Sequence, residues 1–252
     1  MKVFITGATS GIGRLSALKF LKLGHDLILH GRSEEALLKL EQEARSVANA
    51  EQKIWRYQAD LSKSEEVHRL INQVRNDHKE LDILINNAGL GPKHEKIIDV
   101  NYIALVLLCE NLLPLIVQAR GRIVNIASEA QATVQNDKLT QLQGMAAYAQ
   151  SKLAVIMYTK KLAERIKEDG QDVIVTSLDP GSFLATKMVK ETYGRDGRDP
   201  MIGVNAHLKL ATAEAIENGS FYSEGKKAQA HPDAYNQELI NNLWTTTQEL
   251  IS

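Results

Sequence analysis

The sequence predicts one doubly wound α/β domain, a mostly seven-stranded parallel sheet flanked by helices. Two observations carry this. Short β-branched and apolar runs alternate with longer amphipathic stretches along the chain, and parallel neighbours cannot be reached by tight turns, so helices must cross between them. Several short runs, such as Ile83-Leu84-Ile85 and Ile123-Val124, are apolar at consecutive positions. Strands have that pattern when helices cover both faces of their sheet. The expected strands are 3–6, 26–30, 54–57, 81–86, 122–127, 172–178 and a short 220–222. The expected helices are 12–24, 34–47, 63–78, 95–119, 144–168, 201–217 and one near 235–251.

The first strand runs from Val3-Phe4-Ile5 into Thr6-Gly7-Ala8-Thr9-Ser10-Gly11-Ile12-Gly13, which opens the first helix. Glycines at such a junction let the backbone turn tightly and approach a pyrophosphate, whose charge meets helix N-terminal N–H groups. The expected architecture is thus of the Rossmann type. The spacing Gly-x-x-x-Gly-x-Gly differs from the general dinucleotide fingerprint, and no Gly-Lys-Ser/Thr follows to make a P-loop.

The second strand ends Leu29-His30-Gly31-Arg32-Ser33, with no carboxylate before Glu34. An acid there would bind ribose hydroxyls and repel a 2′-phosphate, whereas Arg32, with Ser33 beside it, could clamp that phosphate. This points to NADP(H) over NAD(H), the alternative being a solvated arginine at a corner. After the third strand, Asp60-Leu61 are placed to touch adenine, although an aspartate there also suits a turn or cap.

The fourth strand ends Asn86-Asn87-Ala88-Gly89, and Asn101 falls in the next helix. That helix contains the apolar run 103–109, far short of the ~20 residues of a membrane span. Its Cys109 is the chain's one cysteine, so no internal disulfide or cysteine-cluster zinc site is expected, and a packed inert thiol is the plain reading. The fifth strand leads to Ser128. The stretch 144–168 then carries Tyr148-Ala149-Gln150-Ser151-Lys152, an i, i+4 pair on one helix face. A phenol must fall about 3 pH units, about 4 kcal/mol, to exchange protons near neutrality, and one ammonium at ~4 Å supplies about that much. The sixth strand ends in Asp179-Pro180-Gly181, followed by Thr186. The polar segment 193–200 belongs to an expected mobile loop over 182–200. The last helix spaces Leu239, Ile240, Leu243, Trp244, Leu250 and Ile251 for packing onto the body.

With 30 basic against 31 acidic residues the net charge is −1, and 44% of the residues are hydrophobic. Nothing global favours nucleic acid or a membrane surface. Trp55 and Trp244 are too isolated for a base-stacking platform. His207, His231 and the other histidines lack metal-ligand spacing. The start of the chain has no room for a signal-peptide core, so a cytoplasmic location is expected.

Taken in order, the Thr6–Gly13 loop, Asn86–Gly89, Asn101, Ser128, Tyr148/Lys152, Pro180-Gly181 and Thr186 resemble the short-chain dehydrogenase/reductase superfamily. The set spans about three quarters of the chain. The resemblance implies that Tyr148 is the general acid in reduction and the base in oxidation. Lys152 would lower its pKa and bond the nicotinamide ribose, Ser128 would hold the substrate oxygen, and Asn101 would hold a relay water. Ser128 as a helix cap and Asn101 as a buried structural amide are the ordinary alternatives. Asn87, Ala88 and Gly89 would line the cofactor cleft, and Pro180, Gly181 and Thr186 would support the nicotinamide amide. A small-molecule alcohol or carbonyl substrate is implied, as is a homodimer or homotetramer paired through the helices of Asn101 and Tyr148. The interval from Asn87 to Asn101 is shorter than usual. That from Ser128 to Tyr148 is longer, which suggests an inserted lip around 135–143. This insert, the phrase 148–154 and the C-terminal tail look most like the retinol-dehydrogenase-like branch. Two other readings share features. An NADP(H) sensor would bind without turnover but needs no proton donor. A nucleotide-sugar epimerase or dehydratase usually needs more than the 66 residues that follow Thr186.

Overall fold

In β1 (Lys2–Ile5) the side chains of Val3 and Ile5 enter one apolar layer and Phe4 the other, because successive strand residues point to opposite faces. The same division recurs in β2 (Asp26–Gly31), where Ile28 parts from Leu27 and Leu29, and in β4 (Ile83–Asn86), where Leu84 parts from Ile83 and Ile85. The consecutive apolar residues therefore feed two cores at once. One core is closed by α1 (Gly11–Lys22), α2 (Glu34–Val47) and α7 (Met201–Thr212). The other is closed by α3 (Ser64–Asp77), α4 (Ala104–Gln118), α5 (Gly144–Glu168) and α8 (Gln237–Ile251). These features come from a computed structural model that describes residues 1–134, 142–194 and 196–251. Most of the 135–143 insert, and Arg195 of the 182–200 loop, lie outside the described residues.

With β3 (Ile54–Gln58), β5 (Arg122–Ile126), β6 (Ile174–Asp179), β7 (Phe221–Ser223) and β8 (Lys226–Lys227), the sheet order is β3-β2-β1-β4-β5-β6-β7-β8. Strands β1 to β7 are parallel. The order reverses between β1 and β4, and open sheets of this kind bind ligands at the carboxyl ends of the strands beside such a reversal.

Four features depart from the expectation. The sheet has an eighth, antiparallel strand, paired through Ser223↔Lys226. Its two-residue turn, Glu224-Gly225, has both residues at positive φ (49° and 76°), the geometry that suits a tight hairpin. Helix α7 stops at Thr212 rather than 217, because Arg122 Nη1 donates to the Leu210 and Ala213 carbonyls at 3.2 and 2.6 Å and so caps its end. The loop 182–200 contains a helix, α6 (Lys187–Tyr193), begun by the Thr186 side chain, which accepts from the Val189 N–H, and ended by Gly194 at φ 64°.

The fourth departure concerns the helix around Asn101. Asp99–Ile103 forms a π-helical turn leading into α4, and together Asp99–Gln118 are 20 residues that include an 18-residue window of mean hydropathy 2.0. By length and composition that could cross a bilayer; the seven-residue run counted in the sequence stopped at Glu110. In this fold the apolarity is spent inside. Leu105, Leu108, Cys109, Leu112 and Ile116 are buried, and Glu110 accepts from Tyr158 Oη (2.8 Å) and from both terminal nitrogens of Arg165 (2.9 and 3.1 Å). Burial pushes the Cys109 thiol upward, in keeping with an inert packed group. Helix α8 lies across α5 and the π turn, with Trp244 stacked on Tyr158 at 6.1 Å and Tyr102 Oη 2.6 Å from Thr247 Oγ1.

Candidate active site

At the reversal point, the glycine loop after β1 and the Asn87–Gly89 turn after β4 are locked together. The Ala88 N–H donates to Thr6 Oγ1 (2.9 Å), and Asn87 Nδ2 donates to the Thr6 and Gly7 carbonyls (2.8 and 3.3 Å). Gly7 and Gly11 take φ of +63° and +53°, which side chains disfavour. At Gly13 the constraint is space: a Cβ would fall 2.4 Å from Asn87 Nδ2 and 2.5 Å from the Gly7 carbonyl. Ser10 is the N-cap of α1 and makes no side-chain cap bond; Ile12 follows in its first turn. The result is a small concavity floored by backbone, with a helix N-terminus facing it, which fits a pyrophosphate. Gly13→Ala is expected to push Asn87 and the loop apart, lowering thermal stability by about 1–3 kcal/mol and weakening dinucleotide binding in a titration. Unchanged affinity would show that the loop can relax around a methyl group.

His30, passed over in the sequence, anchors this loop. The Gly7 N–H donates to His30 Nδ1 (3.2 Å) and the Ala8 N–H to the His30 carbonyl (2.8 Å). The other ring nitrogen, Nε2, is 3.1 Å from the Ala59 carbonyl and must carry the proton. Burial pulls the imidazole down to about 4. A histidine at a strand end offers no sequence signal separating this role from ordinary packing.

Toward the adenosine end, Arg32 is exposed beyond Gly31, and its carbonyl accepts from Gln58 Nε2. Ser33 caps α2, accepting from the Ala36 N–H. Asp60 takes the turn role: Oδ1 accepts from the Ser62 N–H (3.0 Å) and hydroxyl (2.8 Å). Burial pushes Asp60 upward, but the Ser62 donors with Arg32 and Lys63 outweigh it and hold the carboxyl below its usual range. Leu61 is buried in the core.

Ser128, Tyr148 and Lys152 converge beside the turn after β4. Lys152 is buried, and its Nζ donates to the Ile126 carbonyl at 2.8 Å. That nitrogen lies 5.8 Å from the Tyr148 ring centroid. A Cβ at Gly89 would come within 3.7 Å of it and 3.5 Å of Asn101 Oδ1, so the turn after β4 abuts both residues. The Ser128 side chain hydrogen-bonds the half-buried Tyr148 phenol and also accepts from the Ala130 N–H (3.2 Å). It is phenol partner and helix cap together.

Burial acts on both members of the pair. Burial pushes the Tyr148 phenol upward; the Ser128 bond opposes this, and Asp179 and Tyr193 add to it. Burial likewise pulls Lys152 to about 8, with Asp179 opposing. The Lys152 ammonium is turned to the Ile126 carbonyl, and burial is the largest cause of the shift in both groups.

Asn101 is 1% exposed and its amide meets protein groups on both atoms. Its Oδ1 accepts from the Leu90 N–H (2.7 Å), and its Nδ2 donates to the Leu90 carbonyl (3.0 Å) and to Ser151 Oγ (3.2 Å). The side chain pins the segment after Gly89 to α5, and the π turn delivers it there despite the short Asn87–Asn101 interval.

Gly181 follows Pro180 at φ 120°, and the Thr186 methyl would lie 3.5 Å from a Cβ on Gly11. The support expected under the nicotinamide thus closes against the glycine loop. Above it, α6 leans on Gly91, where Met188 Cγ would be 3.1 Å from a Cβ. Phe183 and Tyr193 meet edge-on at 5.1 Å beside the mouth. Among the described residues, no group of three His, Cys, Asp or Glu side chains could hold a metal ion.

The chain is similar to known proteins in sequence and in fold. The family described as short chain dehydrogenase matches residues 1–196. Retinol dehydrogenase 13 of Mus musculus is 28% identical, covering 99% of this chain and 83% of its own. An uncharacterised oxidoreductase of Bacillus subtilis, YvrD, is 33% identical with 90% of each chain covered. The Pseudomonas aeruginosa RhlG/NADP active-site complex superposes with a TM-score of 0.73 at 23% identity, over 88% of this chain and 93% of that one.

Proposed function

The chain belongs to the short-chain dehydrogenase family, and on that premise we propose that it interconverts an alcohol and a carbonyl using NADP(H), with Tyr148 as general acid and base. The observation that carries this reading is the convergence of Ser128, Tyr148 and Lys152 beside Gly89, across the cleft from the glycine loop. When bound, the nicotinamide supplies or accepts the hydride; the chain's residues handle the proton and the positions. In reduction, Tyr148 Oη donates a proton to the carbonyl oxygen while Ser128 holds that oxygen beside it. In oxidation the phenolate takes the proton back. Lys152 supplies fixed positive charge behind the ring, and the glycine loop with the α1 N-terminus takes the diphosphate.

A panel of alcohols and carbonyls read by nicotinamide absorbance tests this. Turnover of at least one class, lost in Tyr148→Phe, supports it; cofactor binding without turnover across the panel supports the sensor instead. Hydrophobic alcohols lead the panel, since the relatives include retinol dehydrogenases.

The NADP(H) preference rests on Arg32, exposed at the end of β2 where an acid would otherwise stand. A charged hydrogen bond of about 1.5–3 kcal/mol corresponds to an affinity ratio of roughly 10–100. Arg32→Ala is expected to lower NADPH affinity by that factor and leave NADH within about twofold. Equal binding of the two cofactors by the native chain removes this role for Arg32.

Self-association is proposed through the helices that carry Asn101 and Tyr148, where Leu113, Pro114, Leu115 and Val117 of α4 keep some exposure; a monomer in sedimentation at high concentration overturns it. The cytoplasmic location remains part of the same proposal, tested by fractionation.

A further inference from the structure

Asp179 stands at the end of β6 with 3% exposure, next to the acid–base pair. Its oxygens are met only by groups that can donate. Oδ1 accepts from the Gly181 N–H (3.2 Å), Oδ2 from Ser223 Oγ (2.9 Å), and the backbone of Glu129 supplies a further bond. Its own carbonyl accepts from the Glu224 N–H (2.9 Å). Burial, with Glu129 adding to it, pushes the carboxyl above its usual range, and two backbone N–H groups and a hydroxyl oppose this by stabilising the ionised form, since a backbone N–H cannot accept a proton.

We propose that Asp179 is a positioning residue of the acid–base site, a buried carboxylate that acts as counter-charge to the Lys152 ammonium and holds the turn following Ser128 through Glu129. The proposal rests on the dehydrogenase reading above. Its geometric basis is the junction itself: one side chain ties the Gly181 turn, the Ser128–Glu129 turn and the β7–β8 hairpin together. Lys152 reaches the same edge of the sheet through the Ile126 carbonyl, and Ile126 pairs with Leu178, the residue before Asp179.

The groups facing it come from five elements. Tyr148 and Lys152 project from α5, and Tyr193 approaches the phenol from α6. Glu129 adds negative charge from the turn after β5, while its own side chain is bonded by Ser182. Glu224, on the hairpin, is paired with Arg198, a half-exposed cation whose proton affinity Asp179 and Glu129 also raise. Lys152 is the buried cation facing Asp179. Asp179 raises the proton affinity of Lys152 against burial.

The test is the titration of Lys152 in the full chain, followed by 13Cε lysine NMR and assigned with Lys152→Arg. The native midpoint is expected near pH 8. In Asp179→Asn, which keeps the shape and removes the charge, it should fall by about one pH unit, a tenfold loss of proton affinity. The alkaline limb of kcat should move with it. Ser223→Ala keeps the carboxylate and should leave the midpoint in place. An unmoved midpoint in Asp179→Asn overturns the proposal, and so does an equal shift in Ser223→Ala. If Asp179→Asn does not fold, the native carboxyl 13C shift decides: an ionised group at pH 7 supports the proposal and a neutral one overturns it. Native turnover is measured separately, so a chain without dehydrogenase activity fails the enzyme reading while the Lys152 titration still judges Asp179.

Discussion

Tyr148→Phe should lower turnover by roughly 10²–10⁴ while leaving cofactor affinity within about twofold. The substitution removes one oxygen and keeps the ring. That oxygen is bonded by Ser128, whose own tie to the Ala130 N–H preserves the turn. The glycine loop and the Lys152–Ile126 contact do not involve the phenol. The separation between kcat and cofactor binding is the diagnostic feature. Steady-state kinetics with a nicotinamide fluorescence titration checks it, and a variant that turns over normally assigns the proton to another group.

Acid should destabilise the chain by about 5 kcal/mol between pH 7.5 and pH 4.5, through two histidines alone. His30 and His207 are buried and both are pulled from 6.5 to about 4 by burial. Well above pH 6.5 neither is protonated in the folded or the unfolded chain, so neither costs anything. As pH falls through 6.5 the unfolded chain takes up protons that the folded chain refuses, and stability drops until the folded groups titrate near 4. At 1.36 kcal/mol per pH unit this is about 2.5 kcal/mol for each by pH 4.5. Urea unfolding at pH 7.5 and 4.5 measures it. His207→Gln, which retains a partner for Ser16 Oγ, now 2.9 Å from His207 Nδ1, should remove about half of the drop. Cofactor affinity should fall in the same window, because a protonated His30 Nδ1 cannot accept from Gly7. A pH-independent stability that His207→Gln leaves unchanged removes the argument.

The two sites differ in how readable they were. Tyr148 and Lys152 were legible because an i, i+4 spacing fixes a shared helix face whatever surrounds it. The glycine loop was legible because positive φ restricts residue choice. His30 was not, since its two bonds depend on β1 and β3 lying on either side of β2. Asp179 was visible beside Pro180-Gly181, yet its three donors come from segments up to 50 positions away. Asn101 was named for its helix, but only the π turn shows that its amide is committed to Leu90 and Ser151. The eighth strand escaped because two lysines carry no apolar period; the Glu224-Gly225 turn was its one local sign.

By itself the sequence determined the layer architecture, the strand order of appearance, the class of cofactor cleft and the residue types of the acid–base site. Each of these follows from local rules: periodicity of two or 3.6, glycine conformations, and the reach of a helix turn. The tertiary structure decided the surroundings of those groups. It buried Lys152 against the Ile126 carbonyl, joined Ser128 to the Tyr148 phenol, and set Asp179 at their side. The physical reason is that proton affinity depends on everything within several ångströms in space, and most of those neighbours are far away in sequence.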